Sequence, residues 1–302
     1  MIKPFFALSS TLGQVLFIRF ADRVGKGIRT SLRDAILADT TTKEERGKAF
    51  GFRRSMDTLG AALGPFVAYL ILTLWNGSYQ SVFWLSAIPG LIATLLLIII
   101  LKDKRNPTKT QSKVKTLPKI SFKGLGSRFF LFTLITLLFT IGNFSDAFLI
   151  LRAKDVGMAA EYIPLTYFAY NIVTIIFSIP FGMISDRIGR RPVLITGYVI
   201  FALIYLGFGL VHTVRGIWIL FIFYGLYYAT TEGIQKSYVA DMVAEGQRGT
   251  AMGTFNVLPG IAALPASVLA GFLWQFFGAF TAFGVSSLLA IISALLMFIL
   301  RI

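Results

Sequence analysis

ADTTTKEERGKAFG occupies residues 38–51, and ADMVAEGQRGTAMG occupies residues 240–253. Both read Ala-Asp, six residues, Arg-Gly, any residue, Ala, any residue, Gly. The identities Ala38/Ala240, Asp39/Asp241, Arg46/Arg248, Gly47/Gly249, Ala49/Ala251 and Gly51/Gly253 align without a gap at a constant offset of 202 residues. Two unrelated helix-connecting loops can agree by coincidence. A duplicated architecture requires the surrounding helices to agree as well.

The composition is that of a membrane protein. Of 302 residues, 56% are hydrophobic and 14% charged, whereas soluble domains carry about 25% charged residues. The net charge of +15 does not point to nucleic acid, because the apolar runs leave no soluble domain to present a basic face. Lys and Arg retained on the cytoplasmic side of a membrane account for it. The absence of cysteine and the single histidine, His212, exclude disulfides, thiolate metal sites and a histidine metal centre. No cofactor is expected.

A crossing helix needs about 20 mostly apolar residues. Nine segments meet this: 15–38, 48–74, 79–101, 128–152, 162–184, 192–211, 214–240, 249–276 and 279–301. The segment 102–128 holds nine Lys or Arg against one acid, Asp103. With two prolines it reads as a flexible cytoplasmic linker. Alternate counting then puts the loops near 39–47, 185–191 and 241–248 on the cytoplasmic side, and the C-terminus with them. The expected division is an incomplete N-terminal bundle at 1–101, a basic linker at 102–127 and a six-helix bundle at 128–302. The 202-residue shift maps the first two spans onto the seventh and eighth. It also places Met1 opposite Leu203, so the first half is expected to lack two helices and most of a third. Parallel six-helix repeats are one established plan for a secondary transporter.

GMISDRIGRR, residues 182–191, joins the fifth and sixth spans. Gly182 permits close helix approach. Asp186 suits a neighbouring helix N-terminus, where the dipole favours an anion. The sequence Gly-x-x-x-Asp-Arg-x-Gly-Arg-Arg resembles the cytoplasmic loop signature of the major facilitator superfamily at Gly182, Asp186, Arg187, Gly189, Arg190 and Arg191. Gly51, Gly60, Gly64 and Pro65, followed by Ala68, resemble the fifth-helix signature of the family's antiporter branch. The resemblance implies an all-α membrane protein whose nine spans correspond to helices four to twelve of twelve, in two pseudo-symmetric bundles. It also implies a cytoplasmic gate, to which the repeat adds Asp39, Arg46, Asp241 and Arg248.

RFADRVGKGIRTSLRD, residues 19–34, places Arg19, Asp22, Arg23, Lys26, Arg29, Arg33 and Asp34 in one span. At about 100° per residue they share an arc of roughly 140°. A charge at the centre of a lipid-facing helix costs about 2.5–3.5 kcal/mol, so this face turns to water, acids or a solute. Two readings follow: an internal salt-bridge lattice, or a cavity that attracts an anion. By resemblance, Arg19 stands at the fourth-helix arginine of the family. At the repeat offset, Asp22, Lys26, Arg29 and Arg33 oppose Tyr224, Tyr228, Thr231 and Gln235. The expected cavity is therefore lined by Arg19, Asp22, Lys26, Arg29 and Arg33 on one wall and by Tyr224, Tyr228 and Gln235 on the other. Acids within spans are Asp34, Asp57, Asp146 and Glu232. Asp57 stands beside Arg53 and Arg54, which suits a structural ion pair. Asp34 and Glu232 are the expected coupling residues.

These readings predict a monomeric, multi-pass transporter of the cell membrane. It would move a small anionic or amphiphilic solute with a coupling proton or ion, in the export direction. The alternatives are an uptake symporter, or a non-transporting scaffold or sensor on a truncated transporter. No phosphate-binding glycine loop, metal cluster or nucleophile constellation suggests an enzyme.

Overall fold

A computed structural model describes residue 14, residues 29–74, 85, 87–100, 124–159 and 162–301. Arg19, Asp22 and Lys26, and most of the basic linker, lie outside the described residues, as do the side chains of 65–74, Pro65 among them. All regular secondary structure described is helical. The helices are α1 (29–40), α2 (Arg46–Leu74), α3 (Ala87–Ile100), α4 (Ser127–Gly142), α5 (Ala147–Asp155), α6 (Ile163–Ile188), α7 (Arg190–Leu210), α8 (Val214–Met242) and α9 (Arg248–Ile299).

One of these differs from the expected spans, and one joins two of them end to end. The fourth span is broken: α4 ends at Gly142, Asn143 takes φ −95°, ψ 74°, and α5 begins only at Ala147. The run Gly142-Asn143-Phe144-Ser145-Asp146 contains four residues that favour turns, enough to interrupt an otherwise apolar helix. The last helix turns sharply within its length. Gly278 stands at φ 83°, ψ 169°, a conformation essentially restricted to glycine, and divides α9 into two arms. That division lies between the predicted spans 249–276 and 279–301. Among the described residues, five helical stretches are long and apolar enough to cross a membrane, with Ser127–Asp155 counted across its break and Glu245–Ile299 across its turn.

The residues group into two compact units. One contains Ser31–Gly60 together with Pro118–Ile302; the rest of the chain forms the other. Within the first, α8 packs on α6 and α7, and α9 on α4 and α7. The burial pattern explains these choices. On α4, Phe129, Phe132, Thr133, Ile135, Thr136 and Phe139 are buried; recurrence every three or four residues gives one inward stripe. Phe139 stacks on Tyr198 at 4.1 Å between ring centroids, and Phe201 on Tyr205 at 3.9 Å. Many large apolar side chains are exposed instead, among them Phe130, Leu134, Leu203, Leu210, Leu264 and Phe276. An apolar outer surface around a partly polar interior suits a bilayer as solvent.

Candidate functional site: an ion-pair clamp and a charged lattice

The loop between α1 and α2, the turn at Gly189 and the loop between α8 and α9 meet at one end of the first unit. Gly189 holds φ 96°, ψ 156°, so the signature's glycine supplies a turn that an L side chain would strain. This turn lets α7 start immediately after α6, with Asp186 reaching α2 and Arg190 reaching Asp241 on α8. Asp186 Oδ1 accepts from the Gly47 amide and Oδ2 from the Lys48 amide, each at 2.8 Å. The first amides of a helix have no intrahelical partner, and the dipole there favours an anion. Both effects fix Asp186 on α2.

The two copies of the repeat are joined crosswise. Arg46 of the first pairs with Asp241 of the second, and Arg248 of the second pairs with Asp39 of the first, at 2.6 Å. The Ala38 carbonyl accepts from both arginines, from Arg46 at 2.9 Å and Arg248 at 3.1 Å. Reciprocal contacts of this kind are what a twofold relation between repeats produces. The two pairs are unequal in burial. The side chains of Arg46 and Asp241 are 5% and 9% exposed, whereas Asp39 is 45% exposed. Arg190 reinforces the inner pair: its Nε lies 3.2 Å from Asp241 Oδ2, it pairs with Asp186, and it donates to the Lys43 carbonyl at 2.5 Å. Arg191 turns instead to the end of α9, where Met297 O accepts its Nε at 3.0 Å. Arg187 is exposed. A cleft of about 600 Å³, lined in part by Lys43, Arg128, Arg190 and Arg301, opens beside Asp241. On its rim Glu44, fully exposed, is held below the usual carboxylate range by a hydrogen bond to its own backbone and then by the Thr42 hydroxyl.

Close approach of α2 and α6 falls at Gly47, Gly51 and Gly182. A Cβ at Gly182 would overlap the Gly47 carbonyl, and one at Gly51 the Ser178 carbonyl. At Gly60 and Gly64 a Cβ would meet nothing within 4 Å among the described residues. Of the glycines in the pattern, Gly51 makes the close approach; Gly60 and Gly64 lie about 2.5 and 3.6 turns farther along α2.

Farther along α1, α2 and α8 lies a charged lattice. Asp34, fully buried, pairs with Arg53 and stands 3.5 Å from Lys236 Nζ and 3.9 Å from Arg33 Nε. Asp57 pairs with Arg33 at 3.1 Å and with Arg53 at 3.2 Å. Arg54 pairs with Glu232, and its guanidinium lies 5.2 Å from the centre of the Tyr228 ring. Arg33 and Asp34, the members of the charged stretch 19–34 whose contacts are described, therefore belong to an ion-pair lattice. Its four bases, Arg33, Arg53, Arg54 and Lys236, outnumber the acids Asp34, Asp57 and Glu232. Arg29 is exposed at the first described turn of α1. Tyr224 departs from the expected cavity wall: it is fully buried among aromatic rings and donates to Asp146 Oδ1 at 2.8 Å. Gln235 donates to the Tyr198 hydroxyl at 3.1 Å. Arg53 and Lys236 were not among the expected site residues. Their spacing signals were available, Arg53 four residues before Asp57 and Lys236 four after Glu232.

The family model described as Major Facilitator Superfamily matches residues 4–153 and again 147–302, one match for each half. This chain belongs to the Major Facilitator Superfamily. It is 40% identical over 304 aligned residues to an uncharacterized MFS-type transporter of Methanocaldococcus jannaschii, covering 98% of this chain and 74% of that relative. It is 29% identical over 204 residues to multidrug resistance protein MdtL of Escherichia coli, covering 65% of this chain and 50% of MdtL. The crystal structure of the human organic anion transporter MFSD10 (TETRAN) superposes with a TM-score of 0.78 at 17% identity, over 98% of this chain and 74% of that one. The crosswise clamp is thus the meeting point of two halves that the superfamily model matches separately.

Proposed function

We propose that this superfamily member moves a small anionic or amphiphilic solute across the cell membrane by alternating access, coupled to an ion and in the export direction. The crosswise clamp carries the reading. Two copies of one loop, each supplying the acid for the other's arginine, form a contact that must break and re-form as a unit if the halves rock. By positive-inside reasoning the clamp is cytoplasmic. The positive surplus of the lattice supports an anionic group on the solute, and the names of the multidrug resistance protein MdtL and of the organic anion transporter MFSD10 support a carrier of organic solutes.

The clamp is tested by distance. The chain has no cysteine, so spin labels can be placed at Thr42→Cys and Gly246→Cys without altering native residues elsewhere. Pulsed electron resonance is expected to give a short and a long distance, and Asp186→Asn to enlarge the long population. A single distance unmoved by Asp186→Asn would show a static joint. The solute charge is tested separately: Arg33→Gln is expected to lower transport of a charged solute at least tenfold in vesicles, with expression unchanged. Equal transport by the variant would remove the lattice from solute recognition.

A further inference from the structure

The break between α4 and α5 presents one carboxylate that the lattice does not use. Asp146 precedes Ala147 at the start of α5, and its side chain does not cap the helix. Its backbone carbonyl accepts from the Leu149 and Ile150 amides at 3.0 and 3.2 Å and from the Tyr167 hydroxyl at 3.2 Å. Its Oδ1 accepts from Tyr224 at 2.8 Å. Among the described residues it makes no ion pair, unlike Asp34, Asp57 and Glu232, each of which faces at least two bases.

Among the described residues the groups around it are neutral. From α6 they are Tyr167 and Tyr170; from α7, Tyr205; from α8, Tyr224, Tyr227 and Tyr228. Neither arm of α9 carries an ionisable residue between Gly249 and Leu300. On α5 itself, Arg152 is turned to the Phe208 and Val211 carbonyls, at 2.9 and 2.7 Å, and Lys154 and Asp155 are exposed. His212, between α7 and α8, and Arg215, in the first turn of α8, are exposed. Asn143, on the other side of the break, is spent on the tyrosines: it donates to the Tyr227 hydroxyl at 2.9 Å and accepts from Tyr205 at 3.3 Å.

We propose that the Asp146 carboxyl is a proton-binding site of this chain. Asp146 is half-buried, and a carboxylate partly withdrawn from water among aromatic rings favours a proton unless a counter-charge or a set of donors holds it ionised. Here one tyrosine hydroxyl is the only side-chain donor described, and no cation is described nearby. In the ionised form Tyr224 O–H donates to the carboxylate. On protonation the new Asp146 O–H bond forms and the carboxyl becomes neutral; Tyr224 keeps its own proton and stays hydrogen-bonded. The Tyr224 ring lies 5.1 Å from that of Tyr228, which carries Arg54 and through it Glu232. The break is thus joined to the lattice by packed groups, through which protonation at one can bias the other. The use of that proton as coupling ion rests on the transport reading; its binding does not.

The test needs no solute. Infrared difference spectra between acid and neutral pH are recorded on the purified protein in lipid nanodiscs. A protonated-carboxyl band is expected in the wild type, absent in Asp146→Asn and retained in Asp34→Asn and Glu232→Gln. In Tyr224→Phe the band is retained but displaced, because its hydrogen bond is gone; this variant keeps the test intact if Asp146→Asn fails to fold. A band that survives Asp146→Asn, or that Tyr224→Phe leaves in place, overturns the assignment, as does its absence in the wild type. A titrating band in a protein with a static clamp would keep the proton site and discard transport; a moving clamp without the band would do the reverse.

Discussion

Asp241→Asn is expected to destabilise the protein by about 3–5 kcal/mol, the cost of removing one member of a buried ion pair. The asparagine retains shape and some hydrogen bonding, so shape is not what is lost. What remains is two guanidinium groups, Arg46 and Arg190, converging on a neutral side chain that is 9% exposed in the wild type. Asp39→Asn provides the comparison. It removes the acid from the other member of the crosswise couple, but Asp39 is 45% exposed, and such pairs are worth about 1 kcal/mol or less. Thermal unfolding in detergent should therefore separate two substitutions that the repeat makes formally equivalent. The distance measurement between labels at residues 42 and 246 should show the same order, with the long population dominant in Asp241→Asn and little changed in Asp39→Asn. Equal effects would mean that the clamp is held by its symmetry and not by the burial of one half.

The division of labour between the two pairs was only partly legible in the sequence. The repeat placed Asp39, Arg46, Asp241 and Arg248 at equivalent positions. Had the twofold relation been taken literally, the crosswise pairing would have followed from it, since a contact from one copy to the other implies its mirror. Burial could not be read this way, because it depends on Arg190 reaching Asp241 from a third element. Gly278 marks the turn between two spans that hydropathy separates at the same place, because a long apolar run must turn to remain in a bilayer. The break at Asn143 was hidden by the same apolarity: Gly142, Asn143, Ser145 and Asp146 are turn formers, but the Phe and Leu around them keep the mean hydropathy of the span high. Asp146 was read as one acid among four. Its difference from Asp34 and Glu232 lies in which bases come near: Arg53 of α2 and Lys236 of α8 reach Asp34 on α1, and Arg54 of α2 reaches Glu232 on α8.

Glycine positions on α2 should respond with opposite signs. Gly51→Ala places a methyl group against the Ser178 carbonyl of α6, and Gly182→Ala one against the Gly47 carbonyl of α2. In both cases the obstacle is backbone, which cannot rotate aside as a side chain does. The helices must separate, and overpacking of this kind costs about 1–3 kcal/mol. Separation also lengthens the bonds from the Gly47 and Lys48 amides to Asp186, now both 2.8 Å, so turnover should fall with stability. Gly60→Ala adds a methyl group where nothing lies within 4 Å among the described residues. There the helical preference of alanine over glycine, about 1 kcal/mol, is unopposed, and the unfolding temperature should rise. The sequence pattern treats Gly51 and Gly60 alike, as members of one glycine-rich helix; the geometry assigns the contact to the first. Unfolding temperatures that fall for Gly60→Ala as far as for Gly51→Ala would place a second close approach along α2, and the clamp end would no longer be where these helices are drawn together.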